Sequence, residues 1–195
     1  MKHINNAVNE ICRTFADFDN DTFCMLAEQC CDTINKGGKV IISGLGKNGP
    51  ICSKSVDSMI SIGINAAYVH TGEILHGSAG IVRDSDLVIL TSKTGNTAES
   101  LQAARALKAH KACTIWGLTF NNDGELISQG LTDHALVVKM GEEGDPWNVM
   151  PMNSTTITLI ILQALALEMI DRLNLTKMDF LKNHPGGGIG KANKI

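Results

Sequence analysis

At 195 residues, 44% of them hydrophobic and 19% charged, the chain is long enough for a full core and has the composition of a soluble globular protein. Its formal charge of −3 excludes a basic field for nucleic acid, and an aromatic content of 4% excludes a base-stacking platform. Any anion must therefore be held locally.

Met1-Lys2-His3-Ile4-Asn5-Asn6 contains no apolar signal core. Ile4, Val8, Ile11, Cys12 and Phe15 fall at helical spacing over residues 4–18. Asp19-Asn20-Asp21 is an N-cap cluster for a second helix, which buries Phe23, Leu26, Ala27, Cys30 and Ile34 and stops at Gly37. Strand and helix patterns then alternate. Strands are predicted over 39–43, 66–69, 87–91, 113–119 and 135–138, with helices running to about Ile62, near Glu73, over 97–110 and near Leu126. Five such runs predict βαβ units and an α/β fold. It would be one doubly wound, five-stranded parallel sheet flanked by helices, Rossmann-like, in a single domain over 1–195.

Residues 139–153 show no periodicity around Gly141-Glu142-Glu143-Gly144-Asp145-Pro146, and a loop of that length predicts a functional segment. Residues 154–173 are apolar on nearly every face. The run 157–167 is broken by Thr158 and Gln163 and is too short to cross a bilayer. The pattern predicts a buried helix with a subunit contact on the face the sheet leaves free, and no membrane partner. His184-Pro185-Gly186-Gly187-Gly188 ends a short helix as a flexible, close-packing strip. Cys12, Cys24, Cys30, Cys31, Cys52 and Cys113 form no CxxC pair and predict reduced thiols in a cytoplasmic chain.

The chemistry concentrates at two strand–loop–helix junctions. Val40-Ile41-Ile42-Ser43 enters Gly44-Leu45-Gly46-Lys47-Asn48-Gly49, and the following helix, from Pro50, aims its positive end at that loop. The glycine spacing matches the dinucleotide fingerprint, which also needs an acidic residue about 20 positions on. Here the second strand ends in His70-Thr71-Gly72 and the first carboxylate, Glu73, lies past the turn. The second junction, Ser92-Lys93-Thr94-Gly95-Asn96-Thr97, sets three hydroxyls around a glycine at a helix N-terminus, a phosphate cradle. With no GKS or GKT and no Asp placed for a nucleotide metal, the predicted guest is a small phosphorylated molecule. Glu99 either complements the helix dipole or serves the site; Glu142 and Glu143 are a solvated charge pair or site residues, His70 and His76 are satisfied loop histidines or site residues, and His184 is a helix-end residue or a site residue. No HExxH or His/Cys set predicts a metal.

Taken together, Gly44-Leu45-Gly46-Lys47-Asn48-Gly49, His70-x-x-Glu73-x-x-His76-Gly77, Ser92-x-Thr94-Gly95-x-Thr97-x-Glu99, Ser154-Thr155-Thr156 and His184-Pro185-Gly186-Gly187 resemble the sugar isomerase (SIS) domain of D-arabinose-5-phosphate isomerases. The resemblance covers about residues 30–190. It implies interconversion of D-arabinose 5-phosphate and D-ribulose 5-phosphate, on the way to 3-deoxy-D-manno-octulosonate of lipopolysaccharide or capsule, by a metal-free, cofactor-free homotetramer with shared sites. Residue by residue, it implies Lys47, Glu99, Glu143 and His184 as the active centre. Ser92, Thr94 and Thr97 would hold the phosphate, with His76 close by, and Gly46, Asn48 and Gly95 would also bind the substrate. The family commonly has Ser and His where this chain has Asn48 and Pro50, Asn at Lys93, and Lys-Glu at Glu142-Glu143. Members often continue into a tandem CBS pair, and here the sequence stops.

On this reading Glu143 moves the proton between C1 and C2, and His184 from a neighbouring subunit opens the ring and protonates oxygen. Lys47 stabilises the enediolate, and Glu99 binds sugar hydroxyls or orients Lys47. Two alternatives stay open: an isomerase of a hexulose or heptulose phosphate, and a non-catalytic phosphosugar sensor.

Overall fold

A computed structural model describes residues 1–192. The five predicted strands are present as β1 (Val40–Gly44), β2 (Ala66–His70), β3 (Leu87–Thr91), β4 (Thr114–Thr119) and β5 (His134–Val137), within a residue or two of their expected ends. All pairs are parallel, in the order β2-β1-β3-β4-β5. β1 and β3 are buried along their whole length, which is why their sequences read as unbroken apolar runs rather than alternating ones.

The helices are α1 (Lys2–Ala16), α2 (Asn20–Asn35), α3 (Asn48–Ser61), α4 (Ala98–His110), α5 (Glu125–Ser128), α6 (Asn153–Arg172), α7 (Lys177–Lys182) and α8 (Gly187–Ala192). Two 3₁₀ turns, Thr71–His76 and Ser78–Ile81, follow β2. Successive strand residues alternate between two cores. Val40, Ile42, Leu87, Ile89, Trp116 and Leu118 pack with α2, α3 and α6. Ile41, Val88, Leu90 and Ile115 pack with Leu101, Ala104 and Leu107 of α4. Helices thus cover both faces, as predicted.

Local signals set the starts of α2 and α3 and the turn before α2. Asp19 caps α2 by accepting from the Thr22 N–H at 2.9 Å. Phe18 bridges Phe15 and Phe23, with ring centroids 5.3 and 5.8 Å away, and so holds the turn between α1 and α2. α3 begins at Asn48, two residues before Pro50, because a first-turn residue has no intrahelical use for its N–H. The six cysteines are free, four of them buried.

Three features differ from expectation. Ile4 and Val8 on the α1 stripe are 68% and 50% exposed, so the N-terminal half of that stripe finds no cover within one chain, while Ile11 and Phe15 pack on the core. α6 is 20 residues long, enough by length and composition to cross a membrane, but half of its most apolar stretch is buried against the sheet and helices. Its outer side leaves Leu167 at 63% exposure. The glycine strip after Pro185 turns helical, with Gly190 N–H donating to Gly186 O at 3.1 Å. Close packing is confined to Gly190, where a Cβ would meet His184 O at 2.7 Å, and Gly186, Gly187 and Gly188 have open space around them.

Gly44, where β1 ends, has no room for a side chain: a Cβ would lie 2.8 Å from Cys52 Sγ and 2.9 Å from Thr91 Oγ1. Overpacking of this kind costs about 1–3 kcal/mol. Gly44→Ala should therefore lower Tm by about 2–4 °C per kcal/mol in a thermal melt; an unchanged Tm would mean that β1 and α3 yield freely.

Candidate active site

The chain turns back on itself at β1. α3 carries it from β1 outward to β2, and the next crossover returns it past β1 to β3. α3 and α4 therefore leave the sheet from neighbouring strands towards opposite faces, which opens a crevice at the carboxyl ends of β1 and β3. Both predicted loops start at that point, because Gly44 pairs with Thr91 in register. Thr91 Oγ1 donates to Ser43 O at 2.9 Å and lies 3.3 Å from Cys52 Sγ, so the two loop bases are tied together. Burial pushes the Cys52 thiol up to about 11, partly offset by Thr91, so it is no nucleophile.

In the first loop Gly46 adopts φ +58, a conformation that favours glycine. Lys47 occupies the N-cap position of α3, exposed, with its side chain making no capping bond. Asn48 is half-buried behind it. In the second loop Gly95, at φ +66, lies so close to Gly124 that a Cβ would meet its Cα at 3.2 Å. The β4–α5 connection braces the outside of this loop: Asn121 Nδ2 donates to Thr94 O at 2.9 Å, and Glu125 N–H donates to Asn96 Oδ1 at 2.7 Å.

Thr97 is the N-cap residue of α4, yet its hydroxyl does not cap the helix. It pairs instead with Ser92 Oγ at 3.2 Å. The first-turn N–H groups of α4 are thus left without a side-chain acceptor beside Ser92, Thr94, Gly95 and Thr97, the arrangement an anion would complete. Glu99 is exposed on that first turn. His76 ends the 3₁₀ turn that packs on α4 and is also exposed at this end of the sheet.

The long loop after β5 delivers one glutamate inward and one outward. Glu142 is exposed. Glu143 is 1% exposed and accepts four hydrogen bonds. Oε1 accepts from Ser154 Oγ at 2.6 Å and from Lys93 Nζ at 2.6 Å; Oε2 accepts from the N–H groups of Met152 and Ser154, both at 2.9 Å. Burial pushes its pKa up, but Lys93, the Ser154 hydroxyl and the two N–H groups at the start of α6 outweigh it and hold the carboxyl below its ordinary range. The loop is anchored from α1 by Glu10, which accepts from Gly141 N–H.

His184 does not join this group within one chain. Its ring stacks on Phe180 with centroids 3.9 Å apart, Nδ1 lies 2.7 Å from Phe180 O, and neighbouring Asn183 donates to Ser61 O at the C-terminal end of α3. Lys47 is at the other end of that 14-residue helix, about 20 Å away at 1.5 Å per residue. Lys93, which reaches Glu143, was no expected site residue. Its only signal was a lysine where the resembling family has Asn, and pairing with a carboxylate 50 positions along leaves no periodic trace. Among the described residues, no group of three or more His, Cys, Asp or Glu gathers as a metal site.

A parallel sheet of this order, with two glycine-bearing loops at its switch point and an inward carboxylate beside them, defines a doubly wound α/β protein with a crevice at the carboxyl ends of its central strands. The SIS domain model matches residues 33–168, and the chain belongs to that family. It is 31% identical over 164 residues to arabinose 5-phosphate isomerase KdsD of Pseudomonas aeruginosa, covering 84% of this chain and 49% of that protein. It is 35% identical over 158 residues to arabinose 5-phosphate isomerase KpsF of Escherichia coli, covering 81% and 47%. The chain thus spans about half the length of the curated relatives it matches. Among solved structures, E. coli CFT073 c3406 in complex with arabinose 5-phosphate superposes with a TM-score of 0.85 at 29% identity, over 94% of this chain and 95% of that one.

Proposed function

We propose that the chain is an aldose–ketose isomerase interconverting D-arabinose 5-phosphate and D-ribulose 5-phosphate through an enediolate. The observation that carries this reading is Glu143, buried at the crevice and kept ionised by Lys93 and the start of α6, as a proton-transferring base must be. Likeness to the two named isomerases and to the structure bound to arabinose 5-phosphate supports the pentose assignment. The reaction moves one proton between adjacent carbons with no net redox change, so the proposal invokes no cofactor.

In this scheme Ser92, Thr94, Gly95 and Thr97, with the N–H groups of α4, hold the phosphate and fix the sugar against the reacting groups. Gly46 and Asn48 line the opposite wall, with His76 nearby. Glu143 takes the C2 proton, Lys47 stabilises the enediolate, and Glu99 contacts hydroxyls or orients Lys47. His184 enters from a neighbouring subunit of a cytoplasmic homotetramer, whose contacts would cover Ile4, Val8 and Leu167. The outcome that tests the activity is isomerisation assayed across pentose, hexose and heptose phosphates. Turnover confined to the pentose pair supports the assignment, a hexulose or heptulose phosphate turned over faster would replace the substrate, and no turnover would remove the enzyme.

Thr97→Ala should raise KM for arabinose 5-phosphate. One hydrogen bond to a charged group is worth about 1.5–3 kcal/mol, which is roughly 10- to 150-fold. Unchanged KM would remove this loop from the site.

A further inference from the structure

A carboxylate offers about four lone-pair sites, and all those of Glu143 are filled. To take a proton from carbon it must release a donor. Three of the four are fixed in the start of α6: two backbone N–H groups and the hydroxyl of Ser154, itself 3% exposed. The fourth is different. Lys93 comes from another loop, its side chain is 35% exposed on a flexible four-carbon stem, and it stands between Ser92 and Thr94 of the phosphate cradle.

We propose that Lys93 is a positioning residue that latches Glu143 while the 92–97 loop is empty and swings to the phosphate when the loop is filled, opening Oε1 of Glu143 to the sugar. The substrate's own phosphate thereby arms the base. A phosphate dianion carries more charge than a carboxylate and competes well for the same ammonium. Other charges nearby are engaged or turned away: Glu10 of α1 accepts from Gly141 N–H and lies 3.7 Å from Arg13, Glu142 is exposed, and Asp145 accepts from Trp147, Val149 and Met150 N–H groups. Among the described residues, Lys93 is the one cation within ion-pair distance of Glu143. The inference rests on the phosphosugar reading of this site and adds a switch to it.

Two sites that compete for one lysine must be coupled, and coupling is reciprocal. The test is calorimetric binding of inorganic phosphate to the wild-type chain, Lys93→Met, Glu143→Gln and the double variant. Glu143→Gln should free the lysine and tighten phosphate by on the order of 5-fold or more, while Lys93→Met should weaken it. In the Lys93→Met background, Glu143→Gln should then change nothing. Equal tightening in both backgrounds would show only the field of a lost charge and would overturn the latch, as would no tightening at all. Glu143→Asp, which keeps the charge and retracts the carboxylate, serves if the glutamine variant does not fold; it should tighten phosphate in the same direction, and unchanged binding again overturns the latch. Lys93→Arg should retain wild-type coupling. A non-additive cycle in a protein that isomerises no sugar phosphate would keep the latch and remove the proposed reaction; an additive cycle in an active isomerase would remove the latch alone. Absence of phosphate binding to the wild-type chain would remove the cradle and the latch with it.

Discussion

Glu143→Gln is expected to lower kcat by about 10²–10⁴-fold, the usual loss for a general base, without raising KM. The amide keeps the size of the carboxylate and can still accept from the start of α6, so the loop should hold its shape, but it cannot take a proton from carbon. Exchange of the substrate C2 hydrogen with deuterated solvent should vanish together with turnover. Glu142→Gln should leave both nearly unchanged, since that side chain is exposed and its backbone carbonyl, not its carboxylate, accepts from Asn153 Nδ2 at 2.9 Å. Full exchange in Glu143→Gln beside a dead Glu142→Gln would move the base to the neighbouring residue. Full exchange in both variants would move it to Glu99 or His184.

The second large effect concerns the distance between Lys47 and His184. Lys47→Ala, which removes the proposed electrostatic stabiliser, and His184→Ala, which removes the proposed general acid, should each cost about 10²–10⁴-fold. Mixed in one assembly, the two inactive chains should regain activity. If each site takes Lys47 from one subunit and His184 from another, equal mixing restores about a quarter of the sites. No recovery on mixing would place both residues in the same chain, and the segment carrying His184 would then have to travel about the length of α3 to reach the crevice.

Much of this architecture was legible because period and composition encode it. β1 and β3 announced themselves as short apolar runs, the pattern of a strand covered on both faces. The glycines at 46 and 95 marked the two loops, where both adopt positive φ, and the hydroxyls around Gly95 marked a helix start. What stayed hidden depends on side chains meeting across the fold. Thr97 looks like an ordinary N-cap, and only the structure shows its hydroxyl turned to Ser92. The pairing of Lys93 with Glu143 joins the loop after β3 to the loop after β5, and no local pattern reports such a contact. The exposed side of α1 could not be read either, because a helical stripe says that apolar residues share a face, not what covers it.

The strand order also bears on how the chain is made. β1 is synthesised first and β2 docks on one edge; β3 then takes the other edge, and β4 and β5 extend it outward. No strand has to be inserted between two that already exist, so the sheet can grow as the polypeptide leaves the ribosome. The lid of one core comes late. α6, which packs over Ile42, Ile89, Trp116 and Leu118, begins only at Asn153. At 5–20 residues per second that is roughly 5–25 s after β1. Through that interval this core is packed only with α2 and α3, and the apolar side chains that α6 covers stay open until it is made.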